Sequence, residues 1–193
     1  MDLLATYRRS LIEFTDRVTQ VSPDQWSAPT PCPDWDVRAL INHIVVEDRW
    51  TVPLFAGATI AQVGDQFDGD QLGADPAGSA RDAAAHADVA VSEPGALDRT
   101  VHLSFGDAPA REYVHQLLAD HLVHGWDLAV AIGAEPRLDA DAVHEAATWF
   151  ANREQSYRAA GAIGPRVDVL ADTSEQARLI AAFGRDPGWR PGR

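Results

Sequence analysis

The sequence lacks several features that assign proteins to large functional classes. Its 193 residues include one cysteine, Cys32, so no internal disulfide can form, and we expect the reducing environment of the cytoplasm. No run of about 18 apolar residues is present, and therefore no membrane-spanning segment is predicted. P-loop, GxGxxG, GxSxG and CxxC patterns are also absent, which leaves metal binding as the chemistry to test.

Basic charge is scarce as well. The chain has 16 Lys and Arg against 29 Asp and Glu, a formal net charge of -13 and a pI near 4.7. Nucleic acid and anionic membranes are bound through basic patches, so we expect neither as a partner. The N-terminal segment has arginines inside an amphipathic pattern and no apolar h-region, so it is not a predicted secretory signal. We expect residues 1–193 to form a single cytoplasmic domain.

Apolar residues at spacings of three and four predict a mostly helical chain. The predicted fold class is all-α: a four-helix bundle with a long crossover connection and extra C-terminal helices. Helices are predicted over residues 2–20, about 35–54, 79–92, 109–132, about 139–159 and 174–183.

Turn and cap residues predict where these helices begin and end. Asp34 is the predicted N-cap of the second helix, and Pro53 is expected to end or kink it. Residues 57–80 are predicted to be the crossover loop, with or without a short helix. Residues 100–105 are expected to be extended, with Gly106-Asp107 starting a turn before the long helix.

The spacing of a few polar residues points to a metal site. Asp120 and His124 stand at i, i+4 and therefore share one face of the long helix, about 5–6 Å apart at Cβ. His43, on a facing helix, would complete a set of two histidines and one carboxylate. That set is the ligand count of a catalytic zinc site with an open fourth position. The sequence therefore predicts divalent-metal binding by His43, Asp120 and His124.

Several alternatives remain open from spacing alone. Asp120 and His124 could form a simple hydrogen-bonded pair without metal, and His121 competes with Asp120 because it also pairs with His124 at i, i+3. Glu47, one turn after His43, could support the site, add a ligand or carry a surface charge. Asp127 is expected to cap or to hydrogen-bond the preceding loop, and the Cys32 thiol to be a small buried side chain.

Two long motifs and one short one resemble those of a known family. The segment WSAPTPCPDWDVRALINH covers residues 26–43, and DHLVHGWDLA covers residues 120–129, followed by Ile132 and Gly133. Both are similar to signatures of the mycothiol-dependent maleylpyruvate isomerase-type metal-binding domains, which belong to the DinB-like superfamily of four-helix bundles. The GRDP segment at residues 184–187 looks like the short C-terminal motif of the actinobacterial branch.

The resemblance implies a DinB-like bundle in which His43, Asp120 and His124 ligate the metal. In the isomerase the carboxylate is a glutamate, so the shorter Asp120 is expected to shift the ion's position or the metal preference. The isomerase also carries a C-terminal domain at its substrate site. A chain that ends at Arg193 has no room for that domain, and we expect a reaction other than maleylpyruvate isomerisation.

The function expected first is a metal-dependent thiol transferase or isomerase. Its cofactor would be zinc, or alternatively nickel, iron or manganese, with mycothiol as a cosubstrate and an electrophile as the second partner. A non-catalytic metal-binding protein is the alternative, and a metal-free bundle with a polar cluster is the third hypothesis. Apolar residues at 143, 147 and 150 leave a homodimer open, because they could pack against a second copy or close the monomer core.

Overall fold

A computed structural model describes residues 2–192 of the chain. Helix makes up 56% of the structure, which confirms the predicted all-α, DinB-like class. Within the described residues there are eight α-helices, one short 3-10 helix at Ala96–Asp98 and one two-stranded hairpin, of β1 (Thr100–Leu103) and β2 (Gly106–Pro109). The α-helices are α1 (Leu3–Val18), α2 (Val37–Phe55), α3 (Ile60–Val63), α4 (Pro76–Ser92), α5 (Ala110–Ile132), α6 (Ala140–Phe150), α7 (Glu154–Ala159) and α8 (Glu175–Ala182).

Helices α1, α2, α4 and α5 form the bundle. Helix α2 packs against α4 and α5, and α1 packs against α5 and α4. Every residue from 121 to 131 of α5 is buried, because α1 and α2 of the bundle and the added helix α6 all pack against it. Helices α6 and α8 pack on each other beside the bundle, as the predicted extra C-terminal helices. No helix within residues 2–192 is long and apolar enough to cross a membrane.

The start of α2 differs from the prediction. The N-cap is Asp36, whose carboxylate accepts the Ala39 N–H at 2.8 Å, and not Asp34. Asp34 instead lies in a turn in which the Trp35 N–H donates to the Cys32 carbonyl at 3.0 Å. The prediction of Asp34 was wrong because this turn delays the helix by two residues and places Trp35 before its first turn.

Two other helix boundaries were only partly predicted. Helix α2 runs through Pro53 to Phe55. The helix expected over 139–159 is divided into α6 and α7, because the Arg153 N–H turns back to the Phe150 carbonyl at 2.8 Å. The crossover between α2 and α4 contains the short helix α3, as the sequence allowed.

The hairpin corrects the expected turn before the long helix. Gly106 and Asp107 were expected to start a turn, but they belong to β2, where Gly106 pairs with Leu103 and Asp107 with His102. The turn itself is formed by residues 104 and 105. Residues 100–103 are extended, as predicted, and antiparallel pairing with β2 satisfies the backbone groups of this segment.

Candidate metal centre

The packing of α2 on α5 brings His43, Asp120 and His124 together. His43 Nε2 lies 3.1 Å from Asp120 Oδ2, and His124 Nε2 lies 3.8 Å from Asp120 Oδ1. The two imidazole rings meet edge to face with centroids 5.0 Å apart. The two oxygens of one carboxylate therefore face two different imidazoles. The three residues that the sequence selected form one cluster, although metal binding by them stays a prediction.

The donor atoms are spaced as a metal ion requires. One ligand atom from each of the three residues lies within 4.8 Å of the other two. A tetrahedral ion with bonds of about 2.0–2.1 Å needs donors about 3.4 Å apart. His43 lies 3.1 Å from one Asp120 oxygen and His124 lies 3.8 Å from the other, so small side-chain shifts would bring one oxygen and both imidazoles to that spacing. Imidazole nitrogen and carboxylate oxygen are also ligands that zinc and neighbouring transition metals accept. The residues present thus fit a divalent ion in both geometry and chemistry.

The cluster carries strong internal electrostatic coupling. Burial opposes ionisation of Asp120, but the hydrogen bond from His43 and the charges of His43 and His124 outweigh it and hold the Asp120 pKa below its usual range. Burial likewise opposes protonation of His43, but Asp120 outweighs it and raises the His43 pKa. Asp120 and His43 therefore each stabilise the charged form of the other.

Trp35 covers both histidine ligands of the cluster. Its ring centroid lies 4.7 Å from that of His43 and 5.5 Å from that of His124. Because α2 starts two residues later than predicted, Trp35 belongs to the proline-rich loop, and this part of the loop lies next to the cluster. The aromatic wall restricts both imidazoles to a narrow range of ring orientations.

The second nitrogen of His124 is held by a buried carboxylate. His124 Nδ1 donates to Asp127 Oδ2 at 3.1 Å, and the Asp127 side chain has no exposed surface. Burial would raise the pKa of Asp127, but the hydrogen bond from His124 and the charge of Arg185 lower it, so the carboxylate is ionised. An imidazole with its proton fixed on Nδ1 presents the Nε2 lone pair to a metal.

Cys32, His124 and Asp127 form a second group of donor atoms beside the first. The Arg185 guanidinium already occupies this group: Nη2 lies 3.1 Å from both Cys32 Sγ and Asp127 Oδ2. A second cation would have to displace it. The thiol donates to Asp127 Oδ2 at 3.3 Å. Burial and the neighbouring Asp127 charge raise the Cys32 pKa to about 12, so this side chain is a thiol at neutral pH.

His121 and Glu47 lie outside the three-donor cluster. The His121 Nδ1 donates to the Leu117 carbonyl at 2.8 Å, and its Nε2 lies 3.3 Å from Asp48 Oδ1 in a fully buried pair. Both ring nitrogens of His121 are therefore engaged outside the cluster of His43, Asp120 and His124. Burial and the charge of Asp120 raise the Glu47 pKa to about 7, but Glu47 belongs to neither donor group found within residues 2–192.

A cavity of about 330 Å³ opens onto the cluster. Its base is formed by His43, Asp120 and His124, and Arg185 also lines it. The rest of the wall comes from the loop before α2 and from the segment after α7: Cys32, Pro33, Asp34, Trp35, Ala162 and Ile163. Larger surface depressions occur elsewhere on the described chain, but this one contains the cluster. A molecule of modest size can therefore reach the position between the three donor atoms.

Sequence reasoning gave no role at the site to two of its residues. Trp35 and Arg185 appeared there only as members of the motifs at residues 26–43 and 184–187. The signal for Trp35 was its place directly before a ligand-bearing helix in a loop too rich in proline for regular helix. No spacing rule connects Arg185 to a site 58 residues earlier.

Comparison with known proteins identifies the family of the chain. The family model for the mycothiol maleylpyruvate isomerase N-terminal domain matches residues 7–129. Two proteins of Mycobacterium tuberculosis, from strains CDC 1551 and H37Rv and both described as uncharacterized, are each 31% identical over 141 residues, 73% of this chain and 73% of each relative. No solved structure gives a significant match. The chain therefore belongs to the mycothiol maleylpyruvate isomerase N-terminal domain family.

Proposed function

We propose that this protein binds one divalent transition metal through His43, Asp120 and His124 and uses it in thiol chemistry. The reaction class is transfer of a low-molecular-weight thiol of the mycothiol type to an electrophile, or an isomerisation that such a thiol assists. Zinc is the preferred ion, with nickel, iron and manganese as alternatives, since all accept imidazole and carboxylate ligands. The observation that carries the proposal is a three-donor cluster at the base of an open cavity.

The number of donors favours a reactive site over a structural one. Structural zinc sites are closed by four protein ligands, whereas catalytic sites have three and leave a position for water or substrate. Within residues 2–192 the cluster of His43, Asp120 and His124 contains no fourth His, Cys, Asp or Glu donor. The cavity supplies the space from which a small ligand would reach the ion. A non-catalytic metal-binding protein is therefore the second candidate.

Each residue of the site has a defined task in the proposal. His43 and Asp120 provide ligands from two different helices, and Asp127 holds His124 so that its Nε2 faces the cluster. A bound divalent ion favours the thiolate, the nucleophilic form of a thiol, near neutral pH. Trp35 shields the ligands from water on one side, and the cavity holds the electrophile.

The choice of a thiol as cosubstrate rests on the family's name and on the chain's own cysteine. The family is named for a mycothiol-dependent isomerase. Cys32 lies beside the cluster, but its raised pKa and its bond to Asp127 make it a poor nucleophile. An exogenous thiol would therefore supply the reactive sulfur.

Metal content is the first test. Untagged protein and its His124→Ala variant would be analysed by plasma mass spectrometry after purification without chelators. We expect about one equivalent of a divalent transition metal in the wild type and loss of it in the variant. His115→Ala is the matched control, because His115 pairs with Glu145 outside the cluster and should leave the metal content unchanged.

A second measurement tests the thiol. The cobalt(II)-substituted protein would be titrated with N-acetylcysteine, a small thiol whose sulfur gives a charge-transfer band on binding cobalt. We expect the band in the wild type and its absence in the His43→Ala variant. A protein that takes up no metal refutes the whole proposal. Uptake of metal without the sulfur band leaves the non-catalytic alternative as the function.

A further inference from the structure

We propose that Arg185 is a positioning residue of the metal centre, which acts through Asp127 on the ligand His124. The inference rests on the proposed metal site and adds a residue that lies beyond the 7–129 segment matched by the family model. The segment after α8 is therefore part of the site, because its arginine determines how His124 of α5 is held.

A continuous chain of contacts connects Arg185 to the ligand. Arg185 Nε and Nη2 lie 3.3 and 3.1 Å from Asp127 Oδ2, and His124 Nδ1 lies 3.1 Å from the same oxygen. Side-chain exposure is 15% for Arg185, 7% for His124 and none for Asp127. The guanidinium and the imidazole therefore share one buried oxygen.

The remaining donors of Arg185 restrict where the guanidinium can point. Its Nη1 donates to the Phe183 carbonyl at 2.8 Å, and its Nη2 also contacts Cys32 Sγ at 3.1 Å. These contacts lie on both sides of the Asp127 interaction and leave the guanidinium little freedom to rotate. The arginine is thus directed at the carboxylate behind His124, where it balances a buried negative charge.

The backbone conformation after α8 directs the Arg185 side chain toward the site. Gly184 has φ 81°, and its N–H donates to the Ala181 carbonyl at 3.0 Å, while the Arg185 N–H donates to the Ile180 carbonyl at 3.1 Å. This arrangement is a common way to end a helix, and it requires the left-handed conformation that glycine accepts most easily. A Cβ at Gly184 would also lie 3.1 Å from the Pro165 carbonyl oxygen. The glycine of the GRDP segment therefore makes the turn, and the arginine reaches the site.

The consequence for the ligand is a fixed proton position. When Oδ2 of Asp127 is held opposite Nδ1, the neutral imidazole keeps its proton on Nδ1 and its lone pair on Nε2. Loss of the guanidinium frees the carboxylate to rotate away from His124. Partners of this kind, one step behind a metal ligand, typically alter metal affinity by about 10–100-fold when removed.

The test is a double-mutant cycle on metal affinity. Cobalt(II) dissociation constants would be measured by competition with a chelator for the wild type, Arg185→Met, Asp127→Asn and the double variant. We expect each single variant to weaken binding about 10-fold or more. The double variant should bind within about two-fold of Asp127→Asn, since Arg185 acts through Asp127. Arg8→Met is the control: it removes an arginine–carboxylate pair with Asp88 away from the cavity and should leave the affinity unchanged.

A second readout does not depend on metal. Long-range nitrogen–proton NMR of the metal-free protein reports which nitrogen of His124 carries the proton when the ring is neutral. We expect the Nδ1–H tautomer in the wild type, a mixture in Arg185→Met and the wild-type pattern in Arg8→Met. If Arg185→Met fails to fold by circular dichroism, Arg185→Gln replaces it in both measurements with the same expectations.

The outcomes separate this inference from the proposed function. A wild type that binds cobalt and loses it in His124→Ala, together with an unchanged affinity and tautomer in Arg185→Met, overturns the inference alone. The inference is also overturned if the fold-loss of cobalt(II) affinity in the double variant equals the product of the two single losses, because Arg185 would then act independently of Asp127. A wild type that binds no divalent metal overturns both.

Discussion

Removing one partner of the buried pair between Asp48 of α2 and His121 of α5 should strongly destabilise the fold. His121 Nε2 lies 3.3 and 3.4 Å from the two Asp48 oxygens, and the two side chains are 2% exposed or less. Removing one partner of such a pair leaves an uncompensated buried charge, which costs about 3–5 kcal/mol. We therefore expect His121→Leu to lower the free energy of unfolding by about that amount.

Replacing both partners should be far less costly. In Asp48→Val/His121→Leu no buried charge remains, and substitution of a buried ion pair by apolar residues is often neutral or stabilising. We expect the double variant to lie within about 2 kcal/mol of the wild type. The assay is urea unfolding followed by far-ultraviolet circular dichroism, with a chelator present so that metal binding does not contribute. A loss below about 1 kcal/mol in His121→Leu, or a double variant as unstable as the sum of the two singles, would refute the reasoning.

The same pair predicts a pH dependence of stability. Burial tends to lower the His121 pKa, but Asp48 outweighs it, and the His121 pKa is raised in the folded protein. The contribution of a group with a raised folded-state pKa is complete below its unfolded value, about 6.5 for histidine, and is lost as the pH rises through the folded value. The urea midpoint of the metal-free wild type should therefore fall as the pH rises above about 6.5, and this slope should be reduced in the double variant.

Other expectations follow from single residues of the structure. With its pKa near 12, Cys32 is about one part in ten thousand thiolate at pH 8, so iodoacetamide should alkylate native protein at least about 1000-fold more slowly than urea-unfolded protein. Equal rates would contradict this. Trp35→Phe should abolish most of the fluorescence quenching by cobalt(II), since Trp35 touches both histidine ligands, whereas Trp50→Phe should not. Gly133→Ala should lower the free energy of unfolding in urea by about 1 kcal/mol from backbone strain alone, because φ is 73° and no atom lies within 4 Å of the added Cβ. An unchanged urea midpoint would contradict this expectation.

Much of the bundle could be predicted because its helices follow local rules. The spacing of apolar residues in α1, α2 and α5 gave their extent to within two residues, and Gly133 ends α5 in the left-handed conformation expected of it. Asp120 and His124 lie one helical turn apart, so their shared face also followed from local geometry. Only the contact with His43 needed an assumption about packing, namely that α2 faces α5.

The features that sequence reasoning missed depend on contacts distant along the chain or on competing turns. Asp34 and Asp36 are both suitable N-caps. The turn from Cys32 to Trp35 contains Asp34 and leaves Asp36 as the cap. The position of Arg185 depends on the packing of α8 beside α6 and on the turn at Gly184. The hairpin before α5 forms because two four-residue strands pair with each other, a pattern too short for apolar periodicity to reveal.

The position of α5 in the fold has a consequence for the lifetime of a bound ion. The amides of the buried stretch 121–131 of α5 should exchange with solvent mainly when the whole domain unfolds, because no smaller opening exposes them. Asp120 and His124 lie on that helix, whereas Trp35 and Arg185 belong to peripheral segments that can open at lower free energy. Metal would therefore exchange through motion of the covering loop and the C-terminal segment, while the ligand-bearing helix remains folded.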